Sequence, residues 1–242
     1  MGQFKVDGLK HSYYRLLTGS MVNIYVGPTK RQWTLHRNLL QHHTKFFEQR
    51  VMNPSEKEDN VELLEDDPSA FEMLVKYLYQ GKIDDVAELA SEKKWAHAES
   101  CQKLYFLCDR IGLHQLKNCA IDQFRRACFD SGLVPGPEEM RPVYDNTSVG
   151  SPFRTLISQI AARQIMDPES DNSAATYQTC FENGPEFAVD VINAIRDGAG
   201  GKLLKDPTQE VGCFFHEHQD DELCQKKPKK EVRFPKDLFR DD

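Results

Sequence analysis

The sequence contains no run of about 18 apolar residues, so it offers no membrane-spanning helix. Its first 17 residues carry Lys5, Asp7, Lys10 and Arg15 and lack an apolar leader core, which predicts an intracellular chain, cytoplasmic or nuclear or both. Positive charge is in deficit. Lys and Arg total 31 against 38 Asp and Glu, a formal net charge of -7, which argues against a nucleic-acid grip by the folded domain as a whole. An even cysteine set is also missing. The seven are Cys101, Cys108, Cys119, Cys128, Cys180, Cys213 and Cys224, and the first four fall in helical patterns, where free thiols behave as small buried hydrophobes. There is no phosphate-cradling glycine loop, because Gly198-Ala199-Gly200-Gly201 follows a helix instead of opening one. No G-x-S-x-G, H-E-x-x-H or paired-carboxylate pattern stands out, and the expectation is that the protein is not an enzyme.

What is present is apolar periodicity. Hydrophobic residues make up 39% of the 242 and charged residues 29%, with polarity concentrated after position 198. Val22, Ile24 and Val26 alternate as a strand, Gly27-Pro28 turns the chain, and Gln32 to Leu35 returns it. Two short helical pieces follow, His36 to Leu40 and Thr44 to Val51, then a third strand at Val61 to Leu64. Asp67-Pro68 is an N-cap acid followed by proline at the first helical position. Phe71, Leu74, Val75, Leu78 and Tyr79 then form one helical stripe, which Gly81 ends. A polar insert, 84 to 99, precedes a helix hairpin whose arms meet at Gly112. Val134-Pro135-Gly136-Pro137 ends that domain. Two further helices, Pro152 to Met166 and Pro185 to Arg196, are too few to bury much area alone and are expected to pack on the first domain or on a partner.

Several of these segments resemble the BTB/POZ family. Val22 to Gly27 resembles its first strand, Trp33 to Leu40 its second strand and histidine-containing helix start, and Thr44 to Phe47 its next helix. The longest likeness runs from Val61 to Gly81 and is similar to the strand, "D-P-x-A-F" cap and "Y-x-Y-x-G" helix end of fungal-type members. Leu104 to Leu113 resembles the hairpin that follows, and the stretch from Val143 to Thr147 with the helix after it resembles the C-terminal extension of such proteins. The resemblance implies an α+β BTB/POZ fold, a mainly helical cluster capped by a short three-stranded sheet and followed by a helical C-terminal extension. It divides the chain into an N-terminal segment (1–17), the BTB/POZ domain (18–130), a linker (131–150), the helical extension (151–198) and a polar tail (199–242). It also implies a protein-protein interaction module, either an adaptor for a cullin-3-type ubiquitin ligase or a self-associating scaffold. The candidate interface residues are Phe71, Leu74, Tyr77, Tyr79 and Leu104. One position departs from the family. Many dimerising members have an acid after the serine that begins the first strand, whereas Ser20 is followed here by Met21, which puts strand-exchanged dimerisation in doubt.

Other motifs have a plain reading beside a functional one. No partner for base catalysis accompanies His36, so a structural role is expected. His42 and His43 are adjacent and point to different sides of a helix, which suits solvated surface better than a metal pair. Cys213, His216, His218 and Cys224 place four soft or borderline donors within a dozen residues, the number and chemistry of a tetrahedral Zn²⁺ site. Their spacing matches no standard finger, so chance clustering stands beside zinc. Lys226-Lys227-Pro228-Lys229-Lys230 is either a nuclear import signal or a solvated run. With the Cys/His cluster it supports an alternative function, a nuclear transcription-associated protein with a zinc-binding tail.

Overall fold

The computed structural model describes residues 14–51, 60–198, 206–210 and 212–218. Strand β1 (Met21–Val26) buries the alternate residues Val22, Ile24 and Val26. It pairs antiparallel with β2 (Arg31–His36), Met21 opposite His36 and Val26 opposite Arg31. On its other side it pairs parallel with β3 (Asn60–Leu63), Ile24 opposite Val61 and Val26 opposite Leu63, so the order is β2-β1-β3. Parallel neighbours need a crossover, and helices α1 (Arg37–His43) and α2 (Lys45–Val51) lie within it. Gly27 turns the hairpin at φ 73°, and a Cβ there would stand 3.0 Å from the Pro68 ring, so both the backbone and the space require glycine.

Helix α3 (Pro68–Gln80) starts as the sequence predicts. The Asp67 carboxylate accepts from the amides of Ser69 at 2.8 Å and Ala70 at 3.2 Å, with Pro68 at the first turn. Burial raises the Asp67 carboxyl, but Lys103 and these amides outweigh it and hold the group below its usual range. The helix buries Ala70, Phe71, Leu74 and Leu78, with Trp33 of β2 edge-on to Phe71 at 5.1 Å. Gly81 ends it in the left-handed conformation.

Helix α4 (Ser91–Ile111) corrects the expectation of a polar insert at 84 to 99. Its first two turns, with Glu92, Lys93 and Ala96 exposed, lack an apolar stripe but consist of good helix formers. From Ala98 onward it is buried through Cys101, Leu104, Tyr105 and Cys108. Gly112 closes it at φ 75°, and α5 (His114–Ser131) returns antiparallel against it. Thr44, between α1 and α2, donates its hydroxyl to the Ile111 carbonyl at 2.6 Å in a buried bond that ties the α4 terminus to the sheet side.

The segment 131–150, expected as a linker, contains helix α6 (Pro137–Asn146), which buries Met140 and Val143. Pro137 sits in the first turn, where a missing N–H costs nothing, so here proline begins a helix. The extension continues as α7 (Pro152–Met166), α8 (Gln178–Asn183) and α9 (Pro185–Asp197). Phe153 of α7 inserts into the α4–α5 hairpin, edge-on to Tyr105 at 4.8 Å and to Phe124 at 4.9 Å. The buried core therefore runs from Val22 to Phe215 without a break at 130. Arg154, next along α7, is buried and donates to the Thr147 hydroxyl at 3.1 Å and to the carbonyls of Tyr144 and Thr147, while pairing with Glu186 at the start of α9. Part of the expected polar tail is packed as well. The turn Pro207–Gln209 buries Pro207 and Thr208 against α5.

Candidate interaction surfaces and a Cys/His cluster

The five candidate interface residues do not share one surface. Phe71, Leu74 and Leu104 are fully buried, which corrects their assignment: apolar helical periodicity marks the face turned to the core, and here the core takes all of it. Tyr77 and Tyr79 of α3 are half-buried and pack against the edge of the core. The Tyr79 hydroxyl accepts the His36 amide at 3.3 Å and pairs with His36 Nδ1 at 2.8 Å, so this histidine braces the junction of β2 and α3. Tyr77 meets the ring of His43 at 6.3 Å. Burial, with Cys119 and Cys108 adding to it, pushes the Tyr77 phenol up to about 12. His42 is exposed but His43 is half-buried, and burial followed by the neighbouring His42 lowers its pKa. On α2, the Arg50 guanidinium lies 4.6 Å over the half-buried ring of Phe46. Half-buried aromatic rings edged by cations are the composition that anchors protein interfaces.

A second surface lies on the extension. Val189 and Ile192, one turn apart on α9, are 55% and 64% exposed, while Phe187, Val191 and Ala194 on the same helix are buried. A groove of about 630 Å³ separates the start of α3 from α4 and α6. Two ion pairs lie along it, Lys103 with Asp67 at 2.9 Å and Arg110 with Asp66.

The Cys/His cluster is brought to α5. Cys213, His216 and His218 each offer a donor atom, and the three lie within 4.8 Å of one another. Cys224 and Lys226 to Lys230 lie outside the described residues. The loop 212–218 is held at successive residues. Phe215 is fully buried under the Arg125 guanidinium, which is 5.4 Å from the ring centre. His216 Nε2 bonds Asp122 at 2.6 Å. Asn118 grips the Glu217 backbone twice, accepting its N–H at 2.8 Å and donating to its carbonyl at 2.6 Å. Lys117, nearly fully buried, reaches Asp109 at 2.5 Å and Glu217 at 2.6 Å. Burial alone would pull its pKa down, but those two carboxylates outweigh it and leave it raised. None of these cradle residues was anticipated from the sequence. The available signal was the spacing of Asn118, Asp122 and Arg125, polar side chains on one helical face beside an apolar stripe.

Residues 16–109 match the BTB/POZ domain model. The chain carries a BTB/POZ domain. The three-stranded sheet and mainly helical architecture agree with that α+β fold, and the BTB/POZ domain is a protein-protein interaction module. No curated protein matches the chain significantly. Among the described residues, no helix is long and apolar enough to cross a membrane.

Proposed function

We propose that this protein is a fungal-type BTB/POZ adaptor that links a cullin-3-type ubiquitin ligase to a target protein. The observation that carries the reading is the exposed apolar pair Val189 and Ile192 on the helical extension, outside the BTB/POZ region. The BTB/POZ region separately carries half-buried rings, Phe46 on α2 and Tyr77 and Tyr79 on α3. An adaptor needs one surface for the scaffold and another for its target, whereas a self-associating scaffold needs only the first. Met21 opens β1 where many dimerising relatives place an acid, and this favours the adaptor over the dimer.

The test is co-elution. The full chain at micromolar concentration is mixed with a purified cullin-3 N-terminal region and run on size exclusion with light scattering. A complex containing both proteins is expected. Failure to co-elute, with the chain alone running at twice its own mass or more, would replace the adaptor with a self-associating scaffold.

A further inference from the structure

We propose that Cys213, His216 and His218 bind a Zn²⁺ ion, and that Asp122 of α5 positions His216 for it. The three donors already lie within 4.8 Å of one another. A tetrahedral ion with Zn–S near 2.3 Å and Zn–N near 2.0 to 2.1 Å needs its donors roughly 3.3 to 3.6 Å apart. The gap is about an ångström, and Cys213 and His218, which are partly or fully exposed, can close it by side-chain rotation.

The fixed member of the set is His216. Its side chain is 7% exposed, and its Nε2 is 2.6 Å from the Asp122 carboxylate. A carboxylate hydrogen-bonded to one ring nitrogen fixes the orientation of the imidazole, the arrangement that supports metal-bound histidine. Asp122 is itself oriented, its second oxygen accepting from Arg125 at 3.0 Å. The backbone between the two histidines is also fixed, because Asn118 holds Glu217 at both its N–H and its carbonyl, and Phe215 is buried just before His216. The ligand-bearing loop is therefore organised by contacts that do not involve the ion, which lowers the ordering cost of binding.

One thiolate and two imidazoles suit zinc better than the hard cations, which prefer oxygen. The ligands come from one loop and the positioning carboxylate from α5, so the ion fastens 213–218 onto the helix hairpin. The role is structural, and binding energy becomes stability of the docked loop. Three ligands and one positioning residue make up the site. The fourth coordination position is open to water or to another donor of the chain.

The full chain is loaded with Zn²⁺, freed of excess metal and assayed by elemental analysis, with cobalt substituted in parallel and folding checked by circular dichroism. One zinc per chain is expected, and the cobalt form should show thiolate-to-cobalt charge transfer. Cys213→Ser, at a partly exposed position, should abolish that band while the chain stays folded. Asp122→Asn should keep the band but weaken zinc about 10- to 100-fold in chelator competition. Chain without stoichiometric zinc, or a Cys213→Ser protein with an unchanged cobalt spectrum, would overturn the site. Unchanged affinity in Asp122→Asn would overturn the positioning role.

Discussion

Replacing Phe153 with alanine tests whether the helical extension and the BTB/POZ region share one core. Phe153 is fully buried and contacts two aromatic rings of the α4–α5 hairpin edge-on, Tyr105 and Phe124, with Phe106 at 6.2 Å. Truncating a buried phenylalanine loses its transfer free energy and leaves a cavity, together about 3–5 kcal/mol. Edge-on pairs add to simple burial, so the upper half of that range is expected. With a urea m-value of about 2 to 3 kcal/mol/M, the midpoint moves down by roughly 1 to 2.5 M. The protein supplies two reporters for the assay. Trp33 on β2 and Trp95 on α4 follow the BTB/POZ side by fluorescence, while far-ultraviolet circular dichroism follows all the helices. In the parent the two curves coincide, because the buried core crosses position 130. In Phe153→Ala the tryptophan curve shifts too, although the substitution lies outside the matched domain. A loss below about 1 kcal/mol, or an unmoved tryptophan curve, would show that the extension is a separate unit and that Phe153 does not join the two parts in one core.

Further outcomes follow from single contacts. Asp67→Ala removes the α3 cap and is expected to cost about 1 kcal/mol, whereas Asp67→Asn keeps the cap and costs less; equal losses would assign the effect to Lys103 instead. Because the folded Asp67 carboxyl lies below its unfolded value of 3.8, its contribution is present above that pH and is lost as pH falls further. His97 and His43 show the opposite chemistry. Burial lowers both below 6.5, so the unfolded chain binds more protons beneath that pH and stability should fall on acidification from about 6.5 downward. His97→Gln cannot take up a proton and should flatten that slope, and an unchanged slope in thermal melts across this range would refute the assignment. Arg154→Lys keeps the charge but cannot reach Thr147, Tyr144 and Glu186 together, so a loss of about 1–3 kcal/mol is expected, read from denaturant midpoints.

Local patterns in the chain determined its local elements. Alternating Val22, Ile24 and Val26 specified a half-buried strand, Asp67-Pro68 specified a helix start, and Gly81 and Gly112 specified helix ends, because each signal acts through its own few residues. The likeness to BTB/POZ proteins from Val61 to Gly81 rests on signals of this kind. Tertiary structure decided the rest. Periodicity in α3 and α4 could show that Phe71, Leu74 and Leu104 share an apolar stripe, but not whether a partner or the protein's own core would cover it. The first turns of α4 carry no apolar stripe and stay largely exposed, while the short stripe of α6, Met140 and Val143, lies behind a Pro/Gly-rich segment and is buried only in the folded protein. The sequence placed Cys213, His216 and His218 within six residues of one another, and that proximity determined their candidacy as ligands. Asp122, Asn118 and Arg125, about 90 to 100 positions earlier, became their supports only when the loop met α5, a long-range contact that no local spacing encodes.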